Sequence, residues 1–188
     1  MLTNISSGIV IYKGYASTYN DPLNFERGRE RCEEDSAAAG VSGFLHLPMP
    51  QSEDENEIYR NIINNQKSYD YQALNHNFMY LDITEVQPQT LPRTWELKNG
   101  TSATWFNWNP NLLHVTNPNY ELPKAELLEY GVRPYIQMDP ATGLWTDVKE
   151  EMIDYTGEVV KTPGTIVCSY FLPAYSLTYC PWLSEFED

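Results

Sequence analysis

Basic residues are scarce in this chain: 12 Lys and Arg stand against 26 Asp and Glu, a formal net charge of −14 over 188 residues. Neutralising nucleic-acid phosphates needs a cationic face, and no segment supplies one, which argues against that partner class. No apolar run approaches the roughly 18 residues that a membrane-spanning helix requires. Met1 to Val10 also lacks a basic stretch leading into a long apolar one. If the protein is secreted, the expectation is a leader trimmed from this text, with Met1 an expression start. Internal repeats, low-complexity stretches and interdomain linkers are lacking too, so the length reads as one domain with room for a sizeable core.

Catalytic groupings are equally sparse. His46, His76 and His114 are isolated and no pair has metal-ligand spacing. Glu150 and Glu151 are sequence neighbours whose side chains usually diverge, which gives no support to a glycosidase-like dyad. The expectation is a binding protein and not an enzyme.

Cysteine is limited to Cys32, Cys168 and Cys180, which allow three single pairings and leave one thiol over; spacing alone does not choose among them. Asn4-Ile5-Ser6 and Asn99-Gly100-Thr101 both satisfy the N-glycosylation pattern of the secretory route. Acidic residues are dense at Glu33 to Asp35, Glu53 to Glu57, Lys149 to Asp154 and Glu185 to Asp188, runs that read first as solvated helix faces and a frayed tail. Aromatics, by contrast, are plentiful: five Trp and fourteen Tyr offer apolar area with a polar edge, which suits both interiors and binding faces.

Along the chain, Gly8 to Tyr15 is a β-branched and aromatic run that predicts an opening strand. From Asp21 the text turns helical: Pro22 suits a first turn, Phe25 and Cys32 lie seven apart on one face, and Gly40 can stop the helix. Phe44 to Leu47 predicts a short strand. Ser52 and Glu55 then stand at capping-box spacing before Ile58 and Ile62 at i, i+4, a second helix whose acidic first turn complements the helix dipole.

Gln66 to Asn77 reads as a loop and Phe78 to Val86 as a strand. From Pro88 to about Tyr130, Pro, Asn, Gly and Trp dominate, with a brief strand at Thr94 to Leu97 and a helical turn at Ala125 to Tyr130. A loop region of that length inside a compact domain is expected to be functional. Strands resume at Tyr135 to Met138 and Leu144 to Val148, joined by a Pro- and Gly-containing turn, and a last strand is predicted at Thr165 to Phe171. This order predicts an α+β domain, two helices packed on antiparallel sheets with a long irregular loop region.

Taken in order, these residues resemble the C-type lectin-like domain family across roughly residues 8 to 171. The anchors are Cys32 in the first helix, Phe44 to Glu57 (FLHLPMPQSEDENE), and Tyr80-Leu81-Asp82. Thr94-Trp95-Glu96 through Asn99-Gly100-Thr101, Phe106-Asn107-Trp108-Asn109-Pro110, Gly143-Leu144-Trp145-Thr146-Asp147 and Val167-Cys168 complete the set. The resemblance implies the C-type lectin-like fold over residues 1–174, with 175–188 a C-terminal extension. It also implies an outer disulfide between Cys32 and Cys168, worth about 4 to 5 kcal/mol on a chain-entropy account. The family's inner disulfide has no counterpart: Tyr135 stands where its first cysteine would be, and no cysteine follows Asp147 at the second place.

In sugar-binding members of the family a calcium ion sits in the long loop and coordinates two sugar hydroxyls. Calcium takes six to eight hard oxygens, and a cis proline can turn neighbouring side chains toward one point. By the resemblance, the metal set here is Asn117 and Asn119 of Asn117-Pro118-Asn119, Glu126 and Asp147, with Tyr120 and Thr146 added as ligand contacts. Departures are visible: one carboxylate of the family triplet is an amide here, Thr146 replaces an amide, and Arg133 falls near the place of the second family Glu. Asn117 and Asn119 also suit turns, and Asp147 a strand-end acceptor. Trp95, Trp108 and Trp145 are expected in the core, and Tyr120 and Tyr130 toward a ligand.

The resemblance thus implies an extracellular or secreted recognition glycoprotein that binds carbohydrate through the long loop, with or without calcium. The alternative on the same fold is a calcium-independent protein-binding or matrix-adhesion domain. Cys180, beyond the resemblance, is either a free thiol or a link between two chains. Non-reducing against reducing electrophoresis separates these: a disulfide-linked dimer runs at twice the 21.7 kDa chain mass and collapses on reduction, and a single band in both lanes excludes it.

Overall fold

A computed structural model describes residues 2–3, 9–15, 23–40, 43–66, 78–86, 93–112, 133–153 and 156–171. The elements in order are β1 (Leu2–Thr3), β2 (Ile9–Tyr15), α1 (Phe25–Ala38), α2 (Glu53–Gln66), β3 (Met79–Glu85) and β4 (Trp95–Leu97). They continue with β5 (Tyr135–Met138), β6 (Trp145–Val148), β7 (Glu151–Ile153), β8 (Val159–Lys161) and β9 (Ile166–Phe171). Three antiparallel sheets result, ordered β1-β2-β9, β4-β3-β5-β6 and β7-β8. The architecture is α+β, two helices with antiparallel sheets.

Helix α1 starts at Phe25 because Asn24, in extended conformation, accepts the Arg27 amide proton at 2.9 Å. The start expected around Pro22 is therefore corrected: an amide oxygen able to cap outcompetes a proline that only tolerates the first turn, and Pro22 itself lies outside the described residues. Gly40, at φ 72°, follows the C-terminal end. The buried stripe is Phe25, Gly28, Cys32 and Ser36, a helical spacing that faces β9. Gly28 permits the close approach, since a Cβ there would stand 2.3 Å from Ile166 Cδ1.

In α2, Ser52 Oγ accepts the Glu55 amide, and the Glu55 carboxylate accepts the Gln51 amide, one residue earlier than a standard capping box. Asn56 and Tyr59 turn inward. The strand expected at Phe44 to Leu47 reduces to one bridge, with His46 and Ser169 exchanging two backbone bonds of 2.9 Å. Pro48, which has no N–H to donate, stops the ladder there.

Two apolar clusters flank β3 and β9. Met79, Leu81, Ile83 and Val167 join Tyr59, Trp95, Ile136, Met138 and Trp145 in one; Tyr80, Ile166 and Cys168 join Leu23, Phe25, Leu45 and Leu47 in the other. Side chains alternate across a strand, so β3 and β9 are walls shared by both clusters, buried on two faces. Trp145 is fully buried and Trp95 is 6 % exposed, while Trp108 is half-buried against them.

Cys32 and Cys168 form a disulfide, Cα atoms 5.2 Å apart across 136 residues of sequence, which fixes α1 to β9 inside the second cluster. The two-stranded β7-β8 sheet was not expected: β7 lay in text read only as an acidic run, and β8 in text given no reading. Its Ile153 and Val159 face each other in register at 70 % and 67 % exposure. Residues 172–188, which include the expected C-terminal extension 175–188 and Cys180, are outside the described residues. Replacing Cys32 and Cys168 together by Ser should lower stability by about 2 to 5 kcal/mol. Urea unfolding of the oxidised parent and the double variant measures this, and coincident midpoints would contradict a stapled native state.

Candidate functional site

Alternation along β3 continues past its apolar residues: Met79, Leu81, Ile83 and then Glu85, 7 % exposed, fall on one face. A carboxylate in phase with a buried stripe needs a cation, since an unpaired buried charge is costly. On β6 the same logic holds for Asp147, fully buried and in phase with Trp145 two residues before it.

One side chain meets both carboxylates. Arg93 Nε donates to Glu85 Oε1 at 2.7 Å and Nη2 to Glu85 Oε2 at 3.0 Å, a bidentate fork. Its Nη1 donates to Asp147 Oδ2 at 2.7 Å, and Nη2 also donates to the main-chain carbonyl of Arg133 at 3.0 Å. The guanidinium lies over the Trp95 ring, 4.7 Å from its centroid. Burial alone would pull the Arg93 pKa down, but the bonds to Glu85 and Asp147 outweigh it and hold the pKa above its ordinary value. Arg133 adds a second guanidinium, 3.9 Å from Asp147 Oδ1 and bonded to the Asp147 carbonyl at 3.4 Å.

Trp145 is fixed from behind. Its indole N–H donates to Asn56 Oδ1 at 2.7 Å, and Asn56 Nδ2 and Asn107 Nδ2 both donate to the Gly143 carbonyl, at 3.0 and 2.9 Å. Gly143, at φ 76°, closes the turn before β6, a left-handed conformation that suits glycine. Trp105, Phe106 and Trp108 pack around the Trp145 ring with centroids 5.2 to 6.2 Å away. Backbone bonds of Trp145 to Asn107 and Asn109 cover the edge of β6 there.

Beside this cluster runs an open groove of about 520 Å³, lined by Arg133, Thr146, Asp147, Lys149, Met152 and Ile153 among others. Its size is that of a small-molecule or oligomer subsite, and its walls mix hydroxyl, cationic and apolar groups.

Of the expected site residues, Thr146 and Asp147 are described and share the groove, and Thr146 is half-buried opposite Gln137. Asn117, Asn119, Tyr120, Glu126 and Tyr130 lie outside the described residues, as does Asn4. Asn99 is exposed, its Oδ1 accepting from Thr101 N and Oγ1 in the turn after β4. Among the described residues no group of three or more His, Cys, Asp or Glu could hold a metal ion. The described part of the expected calcium set fits that ion poorly: the Asp147 carboxylate is engaged by one guanidinium and faced by another. No helix is long and apolar enough to cross a membrane among the described residues.

Sequence reasoning missed Glu85 and Arg93. The available signal was the phase of Glu85 in MYLDITE together with an arginine entering the next strand. Neither protein-family models nor curated proteins match this chain.

Replacing Asp147 by Ala takes from Arg93 one of its two buried carboxylates and from Arg133 the carboxylate it faces, and should destabilise the fold by about 3 to 5 kcal/mol. Denaturant midpoints measure the loss, and a cost below about 1 kcal/mol, the range of exposed pairs, would contradict a buried ion pair at this position.

Proposed function

We propose that this chain is an extracellular recognition domain of the C-type lectin-like fold, binding carbohydrate through the segment between Leu112 and Arg133 without needing a calcium ion at Asp147. The observation that carries the reading is the Cys32–Cys168 disulfide, which joins the first helix to the last strand as the resemblance requires. Pairing of β2 with β9 and the burial of Trp145 and Trp95 support it further. Disulfides persist in oxidising compartments, which supports a secreted or cell-surface location.

In this reading Asn117, Asn119 and Glu126 supply hydrogen bonds to sugar hydroxyls and Tyr120 a ring that stacks on the C–H face of a sugar, while Thr146 contributes to the same site. Asp147, held by Arg93, acts as a structural support. Binding, and not catalysis, is the role.

One observation favours the alternative, a protein-binding or matrix-adhesion domain: Ile153 and Val159 form an exposed apolar pair beside the groove. A glycan array probed with and without chelator separates the two. Retention on a defined set of glycans, unchanged by chelator, is the expected outcome. Retention on none of them would sink the carbohydrate reading and leave the protein-binding one, and retention lost in chelator would overturn calcium independence.

A further inference from the structure

We infer that Arg93 serves as the resident cation of this domain, occupying with its guanidinium the position between Glu85 and Asp147 that would otherwise demand a bound metal ion. The inference stands on the ion cluster alone and does not depend on what the domain binds.

Three structural segments deliver oxygens to one point. Glu85 comes from the end of β3, Asp147 from β6, and the Arg133 carbonyl from the residue pair leading into β5. Two of the donors are carboxylates, the Glu85 side chain 2 % and the Asp147 side chain 0 % exposed, so their charge cannot be left to water. A guanidinium presents five N–H groups in a rigid plane; here Nε, Nη1 and Nη2 make four bonds to those oxygens. A spherical ion would hold the same oxygens by charge. The fork also prescribes direction, which ties three strand ends in one plane.

The position gives this tie a purpose. Arg93 stands two residues before β4 and Arg133 two residues before β5, and both strands pair with β3. The Glu85 amide donates to the Pro134 carbonyl at 3.0 Å and the Val86 amide to the Thr94 carbonyl at 2.9 Å. The guanidinium thus fixes the strand ends from which the chain leaves and re-enters the sheet. A domain built this way keeps that frame without responding to metal supply.

Removing the cation should create the demand that it satisfies. In Arg93→Ala the two carboxylates and the Arg133 carbonyl remain around a space from which the guanidinium has gone, hard oxygens of the kind calcium takes, with the Arg133 guanidinium still 3.9 Å from Asp147 Oδ1 and holding the affinity down to the millimolar calcium used here. Thermal unfolding of wild type and variant is compared in chelator and in about 5 mM calcium. The variant's midpoint in chelator should fall by about 10 °C, and calcium should raise it by about 5 °C more than it raises the wild type.

Terbium, a calcium surrogate, should luminesce through the neighbouring indole of Trp95 in the variant above the wild-type level. Equal calcium shifts and equal terbium signals in the two proteins would overturn the inference. Should Arg93→Ala fail to fold, Arg93→Lys reads the same geometry: the charge stays, the fork is lost. Amide exchange at Glu85 and Val86 should then quicken about tenfold with the calcium response unchanged, a difference of about 1.4 kcal/mol in opening free energy. Exchange as slow as wild type in Arg93→Lys would overturn it.

Discussion

Strand β9 has neighbours on every side, and most of the structure depends on that enclosure. One edge pairs with β2, strands drawn from opposite ends of the described chain; the other edge meets His46. Ile166 and Cys168 look toward α1, and Val167 looks toward the tryptophan cluster. The disulfide adds a covalent link to a strand already held by a ladder and two apolar faces, so its geometric cost is small. These pairings span nearly the whole sequence, which makes their closure entropy large and leaves the native topology resting on a few long-range contacts. A cross-link between α1 and β9 acts where that cost is greatest.

What was legible in the sequence follows from how local the signals are. Strand patterning announced β3, β5, β6 and β9, Gly40 marked the end of α1 and the Ser52–Glu55 pair the start of α2, because period and capping are properties of adjacent residues. Of the β7-β8 pair, β7 was read as part of an acidic run and β8 was not read at all. Charge counted along the sequence hid a strand pair whose acidic residue Glu151 is offset across the ladder by Lys161. At Phe44 to Leu47 the apolar residues were real and buried, yet the ladder stopped at Pro48, so burial there comes from packing and not from a strand.

The candidate site was half legible for the same reason. Thr146 and Asp147 were named from a motif, but the motif carries no record of what stands opposite. Arg93 is 54 residues from Asp147, and only the fold brings the two within 2.7 Å. Glu85 was visible in phase with buried leucine and isoleucine, and an in-phase carboxylate is a demand for a cation whose identity the strand itself does not hold.

That demand also organises the charge of the whole chain. Among the described residues the buried carboxylates are Asp82, Glu85 and Asp147, and each is met by an arginine: Asp82 by Arg29 at 2.6 Å, the other two by Arg93. A protein with 12 basic residues thus commits two of them to buried carboxylates, Arg93 from inside and Arg29 from the surface. The acidic excess of the chain is left almost whole outside these pairs, so its field repels polyanions. A ligand compatible with such a surface is neutral or basic. Under the carbohydrate reading proposed above, a polyhydroxyl chain satisfies that condition through hydrogen bonding and aromatic stacking, neither of which needs net charge.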